Sequence, residues 1–398
     1  MKIGVFGGTF NPPHTGHIQS AKTASKQLGL DLLMVIPAGI PPHKALSENA
    51  PPPEVRLEMT RLSFHSLPDT IISDIEISGT TPSYSINTIS MIKRHYSSAD
   101  VYLLVGTDMY LSLETWKESE KLLKAVRPAV FIRNPADKDL ISEYSRRLLN
   151  NFGVHTNTID NDVVDISSSQ LRDMLPKREG VRYIDDTTYG YIIKNRIYGA
   201  KPDWDWLRDR AYSMLDPSRI PHVNGCEQEA LLLAKRWGVD PDDAREAAIL
   251  HDITKILSLQ ENLLILKDHG IQIPKLEKNE EKLLHSKTGA LLAKSLFGVS
   301  ENVANAIMWH TTGRAGMSPL EKVIYIADYI EPERDFPGVE DLRKAAYEDL
   351  DKALTIGFET SIQDMNNRGI IPDESTFNAL QDIKKQIQKG QTYEIIRQ

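Results

Sequence analysis

A single cysteine, Cys226, stands among the 398 residues. An intramolecular disulfide and a zinc site built on cysteines are therefore excluded, which fits a reducing, cytoplasmic setting. No run of about 18 apolar residues occurs, so no membrane-spanning helix is expected. The opening stretch MKIGVFGG stops at Gly7 and Gly8, too short for the core of a secretory signal. Basic residues are in deficit: 47 Lys and Arg against 55 Asp and Glu leave a formal net charge of -8. A nucleic-acid partner is accordingly disfavoured, and any phosphate ligand must be gripped locally. Internal repeats and long low-complexity tracts are missing as well; Pro51 to Pro53 form only a short rigid loop.

What is present is ordinary for a globular protein, with 40% hydrophobic and 26% charged residues, enough for real cores. At roughly 100–200 residues per domain the length predicts two of them. From Met1 to Gly199, apolar runs such as KIGVFGG, LDLLMVIPAG, TIISDIEI, DVYLLVG and PAVFIR alternate with helical stretches, including one around Leu111 to Leu123. Such alternation predicts an α/β, Rossmann-like domain whose parallel sheet collects ligands at the carboxyl ends of its strands. AKPDWD reads as a linker after a helix stop at Gly199. From residue 200 to 398 the periodicity is helical throughout, in segments such as DAREAAILHDITKIL and LEKVIYIADYIE. The domains are thus 1–199, α/β, and 200–398, an all-α helical bundle.

The strongest signal is GGTFNPPHTGH, Gly7 to His17, leaving the first strand and entering the first helix. Gly7 and Gly8 allow a phosphate chain close to the backbone, and the helix N-terminus offers unpaired N–H groups to the anion. His14 and His17 would face the same phosphates. Adenylyl transfer to a phosphate monoester needs no strong base, because the attacking oxygen is already an anion; alignment and charge neutralisation suffice. In ISSSQLR, Ser167 to Ser169 form a helix cap able to hold further phosphates, with Arg172 one turn on.

These two motifs together resemble the bacterial nicotinate mononucleotide adenylyltransferase family over Met1 to Gly199. The resemblance implies transfer of AMP from ATP, with Mg2+, to nicotinate mononucleotide, giving deamido-NAD and pyrophosphate. It implies nucleotide contacts at Gly7, Gly8, Thr9 and Phe10 and at Ile166, Ser167 and Ser168. IPPHK, with His43 and Lys44, resembles a substrate and phosphate loop, and TPSYSINTI, with Thr81, Tyr84 and Ser85, a pyridine-nucleotide loop. VGTDMYLSLETW adds Gly106, Asp108 and Trp116. Trp116 can stack a pyridine ring, and backbone N–H groups near Tyr84 can donate to the nicotinate carboxylate. Arg133, at a strand end, suits an adenine or phosphate contact or a plain surface position. The Tyr84 and Trp116 segments disfavour other phosphate monoesters of the superfamily, such as phosphopantetheine.

In the helical half, His222, His251, Asp252, His285, His310 and Asp328 sit on separate segments. One histidine on an apolar helix is usually a satisfied core residue; this many need a joint explanation. Histidine and carboxylate ligands suit iron, manganese, cobalt or zinc, and Asp252 could bridge two ions that clamp a phosphate. RIPHVNGC, AAILHDITK, LLHSKTGA, WHTTGR and YIADYIEP resemble the HD-superfamily hydrolases that split diadenosine tetraphosphate symmetrically into two ADP. By that resemblance His222, His251, Asp252 and Asp328 would hold one metal, Asp252, His285 and His310 the second, and Lys255 would contact the polyphosphate. Thr311 to Arg314 read as a polar lip for phosphate oxygens, Arg334 and Asp335 as solvated surface, and Cys226 as a small buried residue. Two rivals keep their place: a non-catalytic nucleotide sensor, and hydrolysis of another nucleotide. A homo-oligomer is compatible with either.

Overall fold

The structure, a computed structural model, describes the chain apart from residues 43–45, 47–49, 78, 80, 81, 133, 162, 163, 272–280 and 398, and apart from the side chains of 135, 281, 282 and 390–397. Its backbone separates into two compact units, Met1–Asp203 and Trp204–Gln398.

The first unit is a six-stranded parallel sheet: β1 (Lys2–Gly8), β2 (Leu32–Pro37), β3 (Thr70–Ile72), β4 (Asp100–Gly106), β5 (Arg127–Ile132) and β6 (Asn157–Asp160), in the order β3-β2-β1-β4-β5-β6. Its helices are α1 (Thr15–Leu28), α2 (Pro53–Phe64), α3 (Ser85–His95), α4 (Thr107–Leu111), α5 (Ser119–Ala125), α6 (Lys138–Phe152), α7 (Ser168–Met174) and α8 (Asp186–Lys194). Strand residues alternate between two cores. Ile3, Val5, Ile36, Leu103 and Val105 face one; Phe6, Leu33, Val35, Leu104 and Phe131 face the other. Covering both faces with crossover helices is what lets apolar runs form parallel strands. Chain order reverses at β1, which pairs with β2 on one side and β4 on the other. A crevice opens at such a switch point, beyond the strands' carboxyl ends.

Two sequence expectations are corrected. TIISDIEI yields only the three-residue edge strand β3. The helix expected around Leu111 to Leu123 is broken into α4, a 3-10 turn at Leu113–Thr115 and α5. The hydroxyls of Ser112 and Thr115 bond back to Met109 O at 2.9 Å and Ser112 O at 2.7 Å. Such local bonds compete with helix propagation.

The second unit is helical: α9 (Trp204–Tyr212), α10 (Ile220–Trp237), α11 (Pro241–Leu250), α12 (Leu259–Asp268), α13 (Glu281–Phe297), α14 (Glu301–Met308), α15 (Pro319–Ile330), α16 (Val339–Glu348), α17 (Leu350–Asn367) and α18 (Glu374–Arg397). No strand occurs among its described residues. Its core is built on α10, α11, α14, α15 and α17 through residues such as Leu233, Ile249, Ile307, Ile326 and Phe358. DAREAAILHDITKIL is not one helix: α11 stops at Leu250, and His251 to Leu257 follow as turns. There Thr254 Oγ1 donates to His285 O at 2.7 Å, tying the turn to α13.

Candidate active sites

In the first unit, β1 delivers Gly7 and Gly8 to the crevice, and β4 delivers Gly106 beside them. A Cβ on Gly7 would meet no protein atom within 4 Å, so the backbone there faces open space. Phe10 is correctly placed in the motif, but its ring is buried between Phe6 and Phe64. It offers a ligand backbone only. His14 caps α1. Its backbone N–H donates to His17 Nδ1 at 3.2 Å, which puts the proton of a neutral His17 ring on Nε2 as a donor. The two rings lie 3.7 Å apart, centre to centre.

The distant ISSSQLR segment is stapled to this loop. Ser168 Oγ donates to Pro12 O at 2.8 Å, and Arg172 donates to Asn11 O at 2.7 Å and to Ser169 Oγ at 3.0 Å. Ser167 and Gln170 form the capping box of α7. Ile166, half-buried, leads into that cap. Arg172 and the two histidines are thus gathered around one loop. Asp108 is exposed on the first turn of α4. Tyr84 caps α3 just ahead of Ser85, and Lys117 Nζ lies 4.2 Å over its ring, so the Tyr84 and Trp116 segments adjoin. Trp116 is half-buried, with Nε1 donating to Ser112 Oγ at 3.2 Å. His43, Lys44, Thr81 and Arg133 lie outside the described residues.

Sequence reading missed Arg56. It is wholly buried on α2, and its guanidinium donates to Thr9 O at 2.9 Å, Ala38 O at 2.7 Å and Gly39 O at 2.9 Å. One side chain thereby satisfies carbonyls of the loops after β1 and β2. Nothing in VRLEMTRLSF distinguishes this arginine from a solvent-facing one. Tyr198, also missed, donates to Asn11 Oδ1 at 2.7 Å.

In the second unit, five helices bring the predicted ligands together. His222 stands on α10, His251 and Asp252 just beyond α11, His285 on α13, His310 just beyond α14 and Asp328 on α15. Asp252 is fully buried at the centre. Its Oδ1 lies 3.1 Å from His285 Nε2 and 3.6 Å from His310 Nε2; its Oδ2 lies 3.5 Å from His251 Nε2 and 3.8 Å from His222 Nε2. Asp328 Oδ1 lies 3.2 Å from His222 Nε2. The Nδ1 atoms of His251 and His310 donate to Ala248 O and Ile307 O, each at 2.7 Å, while His222 Nδ1 lies 3.0 Å from Glu331 Oε1. With Nδ1 so engaged, the Nε2 lone pairs point inward, the arrangement in which neutral histidines bind metal.

Burial opposes ionisation of Asp252, yet His251, His285 and His310 hold it well below the usual carboxylate range. Asp328 is likewise held low against its burial, by His222, His251 and Arg334. Burial, His310 and Lys255 lower His285 to about 4. A buried anionic centre edged by imidazole rings suits divalent cations, and the two oxygens of Asp252 address two different histidine pairs.

Lys255 Nζ lies 3.5 Å from Asp252 Oδ1 and 3.1 Å from His285 Nε2. It sits at the mouth of a cavity of about 590 Å³, also lined by His310, Thr311, Asp328 and Arg334. Two surface readings are corrected. Arg334 turns inward, donating to Asp328 Oδ1 at 2.6 Å and Asp328 O at 2.9 Å, because the chain folds back after Pro332; Asp335 is exposed. Arg314 leaves the expected lip to form a two-pronged pair with the buried Glu321 at 2.7 and 2.8 Å. Arg219, also missed, pairs with Asp252 Oδ2.

A cytidylyltransferase-like family model matches residues 5–174, and an HD domain model matches residues 219–333. A protein of Exiguobacterium sibiricum named probable nicotinate-nucleotide adenylyltransferase is 35% identical over 46% of this chain and 91% of its own length. The bis(5'-nucleosyl)-tetraphosphatase, symmetrical, of Bacillus subtilis is 40% identical over 40% of this chain and 87% of its own. The chain belongs to both families, nicotinate-nucleotide adenylyltransferases and symmetrical bis(5'-nucleosyl)-tetraphosphatases. A Mycoplasma pneumoniae protein carrying both names, probable nicotinate-nucleotide adenylyltransferase/Ap4A hydrolase, is 28% identical over 83% of this chain and 88% of its own. The names of an adenylyltransferase and an Ap4A hydrolase are thus joined in one polypeptide elsewhere. The HD domain implies a divalent metal, and His251, Asp252 and His310 form one of the two described groups with donor atoms close enough to hold one. No described helix is long and apolar enough to cross a membrane.

Proposed function

We propose that the first unit transfers AMP from ATP to nicotinate mononucleotide and that the second hydrolyses diadenosine tetraphosphate to two ADP. In the first reaction a nicotinate mononucleotide phosphate oxygen attacks the α-phosphorus of ATP, and the bond to pyrophosphate breaks. Mg2+ accompanies ATP. His14, His17, Arg172 and the amino end of α1 neutralise the charge that builds up, without any proton being abstracted. Gly7, Gly8, Thr9, Phe10 and Ile166 to Ser168 line the phosphate path with backbone and hydroxyl groups. Gly106, Asp108, Tyr84, Ser85 and Trp116 hold the second nucleotide together with Thr81, while Lys44 serves the substrate and phosphate loop and Arg133 an adenine or phosphate contact, these three assigned on sequence.

In the second reaction one water adds across the central phosphoanhydride bridge, between the second and third phosphates, so both products are ADP. His222, His251, Asp252 and Asp328 would hold one ion and Asp252, His285 and His310 the other, iron, manganese or cobalt being suited to this donor set. Bound there, the ions would polarise phosphate oxygens and lower the pKa of a water. Lys255 and Arg334 border the cavity as cations for the polyphosphate, and Asp252 keeps two histidine pairs in register. The observation that carries this reading is the place of Asp252, one oxygen on each pair.

The test is an assay of the purified chain against dinucleoside polyphosphates and other nucleotides, with and without added manganese or iron. Two ADP per diadenosine tetraphosphate is the expected result. No turnover of any nucleotide, in metal-loaded protein still active as a transferase, would leave the helical unit as a sensor.

A further inference from the structure

We infer that Cys226 is a further ligand of the ion held by His222, His251, Asp252 and Asp328, giving that position a sulfur donor that histidine and carboxylate alone do not supply. The inference rests on the two-ion reading of the helical unit. Cys226 lies one turn after His222 on α10 and is 2% exposed. Its sulfur does not point away into the apolar core. It lies 3.5 Å from His222 Nε2, the inward-facing nitrogen, and 3.9 Å from Nδ1.

Three separations from His222 Nε2 match the donor-to-donor spacing around a metal ion. An ion with bonds of about 2.0–2.1 Å to nitrogen or oxygen and about 2.3 Å to sulfur has tetrahedral edges of about 3.3–3.4 Å between light donors and about 3.6 Å between nitrogen and sulfur. The structure has His222 Nε2 to His251 Nε2 at 3.3 Å, His222 Nε2 to Asp328 Oδ1 at 3.2 Å and His222 Nε2 to Cys226 Sγ at 3.5 Å. All four donor atoms lie within 4.8 Å of one another.

The two histidines of this group are buried, and they and Asp328 are turned to the same point without the cysteine. His251 is 1% exposed, and its Nδ1 is engaged by Ala248 O at 2.7 Å. The neighbours of its Nε2 are acceptors, His222 Nε2 at 3.3 Å and Asp252 Oδ2 at 3.5 Å. In the deprotonated ring this nitrogen and those two neighbours are donor atoms converging on one point, where Arg219 already meets Asp252 Oδ2 from the other side. The backbone explains how the sulfur reaches them. A Cβ on Gly225 would lie 2.6 Å from Glu331 Oε2 and 3.1 Å from Pro332 Cδ, so the bare glycine lets α10 lie close against the residues that follow α15. That approach brings Cys226 up beside Asp328.

Coordination replaces the S–H bond by an S–metal bond and releases the proton to solvent. A thiolate is a soft donor, so this position should favour zinc, cobalt or iron over manganese and magnesium. In the rival arrangement the thiol is a weak donor to His222 Nε2 and binds nothing.

The chain's single cysteine makes the test clean, because a thiolate band can come from Cys226 alone. The full-length chain is stripped of metal and titrated with cobalt(II), following absorption and bound cobalt. The expected result is two cobalt ions per chain with a thiolate-to-cobalt charge-transfer band. In Cys226→Val the band should vanish and the affinity of one of the two sites fall about 10–100-fold. Circular dichroism of the variant checks its fold, and the wild-type band needs no variant at all. Two cobalt ions bound without the band overturn the cysteine ligand and leave the two-ion site standing. Failure to bind cobalt overturns both.

Discussion

The two candidate sites are built in opposite ways. In the transferase unit the proposed phosphate-facing groups are glycine backbone, a helix end and two histidines three positions apart on one strand-to-helix turn, with the α7 cap and Arg172 tied to that turn. In the hydrolase unit the proposed metal ligands are side chains on or just beyond five helices, around a carboxylate with no solvent exposure. A helix end and glycine backbone carry their partial charges as part of the fold, so no ion has to be buried. A pair of metal ions requires buried anions, and those remain charged only because histidines and arginines surround them.

That contrast predicts where each unit breaks. The largest effect belongs to Asp252→Ala, which should lower diadenosine tetraphosphate hydrolysis about 10⁴-fold, on the order of 5 kcal/mol of barrier, because both histidine pairs lose their common ligand. Adenylyl transfer by the same protein should be unchanged; its loss in a folded variant would sink the independence of the units. Chelation followed by Mg2+ should reproduce this split, with transfer restored and hydrolysis not.

Next comes His17→Ala, with transfer down about 10²–10³-fold and hydrolysis intact, since one positioned donor to the developing charge is lost. Steady-state kinetics should place the loss in kcat rather than in KM. Arg56→Met should act on stability instead. Its removal strands carbonyls of Thr9, Ala38 and Gly39, and about 2–3 kcal/mol should disappear from the transferase unit's unfolding free energy. Denaturant melts followed by transferase activity would register the change; a melt unaltered from wild type would mean that water replaces the guanidinium.

A smaller effect is expected of Arg334→Gln, about 10-fold in hydrolysis, since Asp328 would keep its histidine and lose only its cationic neighbour. The smallest concerns pH. Burial raises the carboxyl of Glu76, against hydrogen bonds from Thr88 and Ser83. A raised folded-state value means that the contribution of Glu76 to stability is full below the ordinary carboxylate range and is lost as pH rises through the elevated value. Thermal melts of Glu76→Gln should therefore depend less on pH in that window.

The transferase site was legible because its chemistry is contiguous. GGTFNPPHTGH states its own geometry, since the strand, the glycines and the helix cap follow within eleven residues. The hydrolase ligands were legible only as scattered histidines and carboxylates read jointly and by resemblance. Arg56 and Arg334 were not legible at all. An arginine in a helix or an acidic-basic stretch is locally the same whether it meets water or a carbonyl, and the chain's return through α2 or beyond Pro332 decides which. Arg314 was misread for the same reason, its partner Glu321 being set by the start of α15.

Alternation of apolar runs with helical stretches, and the shift to helical periodicity after Gly199, fixed the two architectures, because those periods are properties of local backbone geometry. The glycine and histidine motif was likewise local. Tertiary structure alone decided that Ser168 and Arg172 are tied to Asn11 and Pro12, that Asp252 stands between two histidine pairs, and that Cys226 turns its sulfur toward His222 rather than the core. These depend on how helices far apart in sequence pack, and packing is set by the volumes and approach distances of the whole core, to which no short stretch of sequence has access.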